Sequence, residues 1–538
     1  MKYCDVLTCV SNDVLPALLP ISEEDSGKGG GEARLRNKII HDHLWGSSSY
    51  YPWEIALLDT PLMQRLRQIH QLGTASFTYP SAVHNRFSHS LGVALLAGQL
   101  VTTLRDKLRD GSVDPKGEDV DSVVSQKDVY SVRIAGLLHD IGHCFFSHCS
   151  ERVVGKILGV IFDDELSDVI PQEPKAHELI AYIVLHTEHF ANFWDSQIVP
   201  LFPDKTCVPD PRDIACMIVG KAVSSRKRFL TEIINGHYDV DKMEYLHRDA
   251  KTAGLAITYD RDRFFQKITL YREEVAGDVC WRLVMDIQGI QAVEQMIISK
   301  MMLSPYVYHH HKVLTADALV FDIVSMLSAG AEHSAINARN YFDLLKYTDS
   351  DLLGFGGNSP NVNLNNMLDR LRRRKLLMRC FVLHHDFLIE AENVQVALSE
   401  FRKDVKLDLD NMRRGIVATM KSLYEECADL SIYDVTITET KEHNLLQSMG
   451  KAVVLTHERK IDRLENHWLM NNWEATYGAK KNRVYVHVPR KFIRQGFNAV
   501  CSFLEKKYQL RVDRKRVCEY AKVPLNTGED SLLACFTA

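Results

Sequence analysis

Apolar side chains recur at helical spacing along most of the chain. Leu62, Leu66, Ile69 and Leu72 fall near i, i+4 and i+7, and the segments 90–107, 127–141, 177–190 and 290–302 repeat the pattern. One apolar stripe per 3.6-residue turn predicts amphipathic helices, so the body of the protein is expected to be mainly α. Around 351–362, DLLGFGGNSPNV interrupts the pattern as a loop, and helices are expected to resume over 363–380 and 408–427. Period-two alternation in VYVHV (484–488) and VTIT (435–438) predicts strands, which gives a smaller mixed α/β part after about residue 385. Residues 22–36, SEEDSGKGGGEARLR, are too polar and glycine-rich to pack and predict a flexible joint; GKGGG lacks the spacing of a phosphate loop. The expected division is an N-terminal segment and joint over 1–36, a helical core over 37–384 and a C-terminal region over 385–538.

Composition narrows the class. A chain of 538 residues is too long for one simple core, and 65 Lys and Arg against 70 Asp and Glu leave a net charge of -5. No global basic field therefore points to nucleic acid or to an anionic membrane. The sequence has no run of eighteen apolar residues, and its first twenty positions include Asp5, Asn12 and Asp13 instead of a basic start and an apolar stretch. Twelve cysteines occur without a CxxC pair, which suits free thiols in a reducing compartment. The expectation is a soluble cytoplasmic or nuclear protein.

The chemistry gathers around GLLHDIGHCFFSH (136–148), where His139, Asp140, His143 and His148 lie within ten residues beside an apolar run. His-Asp occurs three times, at 41–42, 139–140 and 385–386, so the dipeptide alone carries little. The central copy differs in its company: HNRFSHSLGV (84–93) precedes it and DVDKMEYLHRD (239–249) follows. A divalent transition metal favours imidazole and carboxylate ligands with positions left for water and substrate. His89, His139, Asp140 and Asp241 can supply two nitrogens and two carboxylates, with His139 and Asp140 reaching one ion from a helix end just before Gly142. Any one of them alone reads first as a core histidine or a helix cap. An imidazole titrating near about 6.5 is well suited to move protons at neutral pH. His148 is the first choice for general acid, with Glu151 one helical turn on to orient it.

On these residues the chain resembles the HD-domain phosphohydrolases, through the ordered pattern H, HD, D at His89, His139-Asp140 and Asp241. Within them it is most similar to the deoxynucleoside triphosphate triphosphohydrolases, whose vertebrate branch carries a sterile alpha motif ahead of the HD domain. The resemblance runs from about residue 37 to 379. It rests on DTPLMQRLRQIHQLG (59–73), HNRFSHSLGV, GLLHDIGHCFFSH, DVDKMEYLHRD, YFDLLKYTDSDLL and LDRLRRRKLLMR. It implies a helical HD fold and one divalent metal per active site (Mn, Fe, Zn or Mg). It further implies hydrolysis of deoxynucleoside triphosphates to deoxynucleoside and inorganic triphosphate, and a homodimer or tetramer. No sterile alpha motif fits in the first 36 residues.

The same resemblance adds His143 and His177 to the catalytic residues. Charge and likeness assign Arg86, Lys242 and Lys300 to the triphosphate, Tyr245, Asp249 and Tyr308 to the sugar, and Gln71 and Leu72 to the wall beside the 2′-carbon. Where the family often has an Arg eight residues before a Tyr, this chain has Lys300 before Tyr308, which meets phosphate as a point charge without the planar fork. Lys38, Ile39, Asp59, Gln64 and Arg67 match positions that form a guanine-nucleotide activator pocket, for GTP or dGTP, at a subunit interface. Asp59 reads equally as a cap on the helix starting at Pro61. The basic run 370–375 reads first as the solvated face of an amphipathic helix and only second as a nucleic-acid site. Competing functions are an HD-type phosphatase, phosphodiesterase or nuclease on another nucleotide, or a nucleotide-sensing binding protein; the complete ligand set argues against the last.

Overall fold

A computed structural model describes residues 3–21, 36–151, 153, 155, 166–170, 172–275, 277–329, 341–354, 361–389, 394–440, 450–467 and 482–523. The joint expected over 22–36 lies, apart from Arg36, outside the described residues. The chain divides into two compact units: Met1–Leu303 with Val324–Phe355 and Asn444–Asn471, and Ser304–Ile323 with Gly356–His443 and Asn472–Ala538. Each unit is thus assembled from segments separated in sequence, where the sequence reading places one contiguous boundary after residue 384.

The first unit is mainly α, as expected, and four helices in it position the site. They are α1 (Arg86–Arg109), α2 (Gln126–Leu138), α3 (Ala176–Leu185) and α4 (Val240–Thr252). Each has a side chain that satisfies otherwise orphaned N–H groups at its start. Asn85 accepts from the Ser88 N–H at 3.0 Å, Ser125 from the Asp128 N–H at 3.2 Å and Asp239 from the Lys242 N–H at 2.8 Å. Ahead of α3, the Glu178 carboxylate accepts the Lys175 N–H at 3.0 Å. Helices α1 and α2 pack closely, and α4 lies against α1. By length and composition α1 could cross a membrane, but most of its apolar window is buried inside the protein, the condition of a core helix.

Two small sheets flank these helices. Lys38–Asp42 pairs with Gly46–Tyr50 in an antiparallel hairpin. Ile268–Val275, Asp278–Asp286, Val453–Leu455 and Ile461–Arg463 follow one another in a four-stranded sheet. In the second unit Val484–Val488, buried at all five positions, is the centre strand between Met378–Leu383 and Thr436–Glu439. Helices Leu409–Leu423 and Ile493–Tyr508 contribute to its apolar core.

Three expectations change. The helix expected through Leu72 stops early: Pro61–Gln64 is α, Arg65–Gln68 is a tight 3-10 turn, and Ile69 is extended. Its backbone is instead committed to a bridge between His70 and Asn85. The helix expected over 363–380 ends at Arg372, past which Arg374 adopts a left-handed φ of 53°, and Met378–Leu383 is a strand. A strand buried on both faces reads as a continuous apolar run, which periodicity cannot tell from a helix. Of the loop expected over 351–362, residues 351–354 are helical within Asp349–Gly354, Asn361 caps the helix Val362–Arg372, and 355–360 lie outside the described residues.

Candidate metal centre and active site

Three helix termini bring the ligand candidates together. His89 sits in the first turn of α1, Asp241 in the first turn of α4, and His139 caps the C-terminus of α2, with Asp140 in the following turn. The Asp241 Oδ1 lies 3.1 Å from His89 Nε2 and 3.7 Å from His139 Nε2. Asp140 completes the set, with Oδ2 3.6 Å from His89 Nε2 and Oδ1 3.3 Å from His139 Nε2. Two glycines make room for this approach. A β-carbon on Gly142 would stand 2.1 Å from the His177 carbonyl oxygen, and one on Gly92 would stand 2.3 Å from Glu244 Oε1.

The donors fit a divalent metal. His89 Nδ1 is held by Glu244 Oε2 at 2.6 Å and His139 Nδ1 by the Gly136 carbonyl at 2.8 Å. Donation through Nδ1 leaves the lone pair on Nε2, and both Nε2 atoms are buried without a hydrogen-bond partner. Burial opposes ionisation of both aspartates. Arg86, His139 and His143 around Asp140, and His139 and His89 around Asp241, nevertheless hold both carboxyls well below the usual range. Burial also opposes a charged His89, yet Asp241 and Glu244 draw its pKa up to about 10, so Nε2 takes up positive charge, as a proton that a metal ion would displace. The surroundings therefore favour positive charge at this point, and His89, His139, Asp140 and Asp241 are the residues that would hold the ion.

A second cluster adjoins the first through Asp140. Its Oδ1 lies 3.3 Å from His143 Nε2 and 3.9 Å from His177 Nε2. The His143 and His177 rings stack at 3.9 Å, and the Glu151 carboxylate bonds His148 Nδ1 at 2.5 Å and His177 Nδ1 on its other oxygen. Burial would neutralise Glu151, but His148, His177 and His143 beside it hold its carboxyl well below the usual range. Burial, Arg86 and His177 push His143 well down, so it is neutral at pH 7. His148 alone is open to solvent, with its side chain 60% exposed while those of His143 and His177 are buried.

Substrate-side candidates divide. A cavity of about 790 Å³ is bordered by His139, Asp241, Lys242, Tyr245, Lys300 and Arg282. Lys242 Nζ donates to the Gly236 carbonyl at 2.8 Å and pairs with Asp239. Burial, with Lys242 adding to it, pushes Lys300 down to about 8. Burial beside Asp241 pushes Tyr245 well up, which keeps its phenol a hydrogen-bond donor. Arg86, expected on the triphosphate, is buried against the metal site, with Nη1 on Asp140 Oδ2 at 2.8 Å and Nε on Ser147 Oγ at 3.1 Å. Asp249, expected on the sugar, is buried in a 2.7 Å bond to His84 Nε2, so its carboxylate is already committed. Gln71 is buried with Oε1 unpartnered, and Leu72 follows it half-buried. Tyr308 falls in the second unit, within Ser304–Tyr308.

The activator candidates are exposed except for half-buried Gln64. Lys38 Nζ lies 4.0 Å from Asp59 Oδ2, with side chains 62% and 67% exposed, and Ile39 is 75% exposed. Arg67 Nε donates to Gln64 Oε1 at 2.8 Å while its guanidinium lies 3.7 Å over the Phe87 ring. Asp59 does not cap the helix at Pro61, because Thr60 does so by accepting from the Met63 N–H at 3.3 Å.

Sequence reasoning missed Glu244, which bridges His89 and Arg248. Its signal was available: a carboxylate three residues after Asp241 lies on the same helix face. Arg65 was also missed; it donates to the His143 carbonyl at 2.8 Å and to that of Ile141, fixing the turn that follows Asp140.

Residues 86–249 match the family described as HD domain, and residues 259–410 that described as HD associated region. The chain is 34% identical over 294 residues to deoxynucleoside triphosphate triphosphohydrolase SAMHD1 of Homo sapiens, covering 47% of this chain and 42% of that protein. A homolog of that enzyme from Dictyostelium discoideum is 29% identical over 252 residues, covering 46% and 42%. The chain thus spans less than half the length of these relatives. An uncharacterized protein of Methanocaldococcus jannaschii is 26% identical over 412 residues, 76% of this chain and 71% of that one. Among solved structures, a hypothetical protein from Aquifex aeolicus aligns with a TM-score of 0.58 at 20% identity, covering 86% of this chain and all of that one, a likeness of fold.

Proposed function

We propose that this chain, whose residues 86–249 match the HD domain, is a phosphohydrolase that converts deoxynucleoside triphosphates to deoxynucleoside and inorganic triphosphate. The observation that carries the reading is the pair of clusters sharing Asp140, one with two orphaned imidazole nitrogens, beside a cavity lined by Lys242, Lys300 and Tyr245. A divalent metal held by His89, His139, Asp140 and Asp241 would polarise phosphate oxygen and lower the pKa of water.

The chain's own groups do the rest. Water adds to the α-phosphorus and gives up a proton to solvent, the bond to the 5′-oxygen breaks, and His148, held at Nδ1 by Glu151, gives its Nε2 proton to that oxygen and regains one from solvent. Glu151 holds His148 by one oxygen and His177 by the other, and neutral His143 stacks on His177. Lys242 and Lys300 compensate triphosphate charge, and the Tyr245 phenol donates beside Asp241. Gln71 and Leu72 form the wall by the 2′-carbon. Anion-exchange separation of the products tests the assignment: inorganic triphosphate supports it, whereas orthophosphate or pyrophosphate points to a phosphatase or pyrophosphohydrolase with the same metal site.

Lys300 supplies a pH signature. Below about 8 it carries its charge and attracts the triphosphate; above that it loses both. We expect kcat/KM to hold on the acid side of about 8 and to fall above it, by at most about tenfold per pH unit for one proton. Lys300→Met should lower kcat/KM at neutral pH and remove that alkaline limb. A limb that persists in the variant assigns the proton to another group.

The activator belongs to the same proposal. With Thr60 as the cap, exposed Asp59 is left to accept from a guanine edge and Lys38 to meet phosphate. GTP or dGTP bound between subunits must favour assembly by mass action, so nucleotide should shift the protein to a dimer or tetramer and raise turnover. Sedimentation and rate with and without GTP check this; equal size and rate leave Asp59 without an activator role.

A further inference from the structure

Two loops of the first unit carry groups the proposed reaction needs: residues 69–73 hold Gln71 and Leu72, and residues 144–148 end on His148. The second loop contains consecutive non-glycine residues in the left-handed region, Phe146 at φ 51° and Ser147 at φ 53°. Side-chain-bearing residues rarely adopt that conformation and keep it only where the surroundings fix it. Asp349, from a segment more than two hundred residues further along, supplies the constraint. Its side chain is 2% exposed; Oδ1 accepts the Phe146 N–H at 2.5 Å, and Oδ2 accepts the His70 N–H at 2.9 Å and faces His70 Nδ1 at 2.6 Å. The connection continues inward. Ser147 Oγ donates to the His70 carbonyl at 2.5 Å and accepts from Arg86 Nε, and Arg86 Nη1 holds Asp140. One carboxylate therefore ties both loops together and reaches the metal site through Ser147 and Arg86.

We infer that Asp349 is a positioning residue that locks the His148 loop and the Gln71–Leu72 loop in one register, setting both the reach of the acid and the fit of the sugar. The sugar part rests on the deoxynucleotide reading above. Asp349→Asn keeps the shape of the side chain but turns an amide N–H toward groups that themselves donate, so at least one bond to the loops is lost.

The test compares this variant and Ser147→Ala with the wild type in metal content, kcat on dATP, preference for dATP over ATP, and amide hydrogen exchange. Misplacement by a fraction of an ångström is expected to lower kcat by about 10- to 100-fold in Asp349→Asn. Metal content should not change. The preference for the deoxynucleotide should shrink by about tenfold, because the wall beside the 2′-carbon moves with the loop. Exchange should quicken in 69–73 and 144–148 together, and Ser147→Ala should move every readout the same way by less. Unchanged kcat and preference overturn the inference, as does a fall in kcat with metal loss and an unaltered preference, the signature of general destabilisation. If the wild type cleaves no deoxynucleotide, the substrate reading falls, and exchange confined to one loop or absent from both overturns the positioning itself.

Discussion

Replacing Asp140 by alanine is expected to abolish metal binding and turnover together. The carboxylate lies within 4 Å of four imidazoles and one guanidinium: His89, His139, His143, His177 and Arg86. Its removal takes an anionic ligand from the metal and leaves the two orphaned Nε2 atoms with Asp241 alone. It also strips buried Arg86 of its counter-charge, and breaking a buried ion pair from one side costs about 3–5 kcal/mol. Asp140→Asn separates these effects, because the amide keeps the shape while withdrawing the charge. Both variants should lose metal by elemental analysis and activity in parallel, the alanine variant with a lower melting temperature. Full metal occupancy with a normal rate in either would remove Asp140 from the ligand set.

The second large effect is expected at His148. Its alanine variant should keep metal and fold, because the ring is exposed and, among the described residues, its hydrogen-bond partners are Glu151 and the edge of Arg86. Yet kcat should fall by on the order of 10² to 10⁴, the range for a lost general acid. Glu151→Gln should give a smaller loss, since the amide still accepts from Nδ1 but no longer stabilises the imidazolium charge. Steady-state kinetics with saturating metal check both. An unchanged kcat with a raised KM in His148→Ala would make the ring a binding residue.

The convergence of the candidate metal ligands was legible because these residues stand where local rules operate. His89 and Asp241 occupy first turns, His139 caps a helix, and Gly142 clears the approach to His177, so residue type and spacing suffice. The helical body was legible for the same reason. What escaped depends on distant segments. Asp249 carries no sign in sequence that His84, 165 positions away, claims its carboxylate, nor Asp349 that His70 and Phe146 converge on it. Arg86 was assigned to phosphate by charge and likeness, and nothing in the sequence signalled its burial against Asp140. The strand Met378–Leu383 was lost because centre-facing burial erases the alternation that marks a strand.

One measurement bears on the central claim most directly. The purified chain, loaded with Mn²⁺ or stripped by chelator, is incubated with each deoxynucleoside triphosphate in heavy-oxygen water, and the products are resolved by anion exchange and mass spectrometry. The account predicts deoxynucleoside and inorganic triphosphate in equal amounts, only with metal, with the heavy oxygen carried by the triphosphate because water attacks phosphorus. Orthophosphate or pyrophosphate as the first product, label in the nucleoside, or equal turnover after complete metal removal would contradict it.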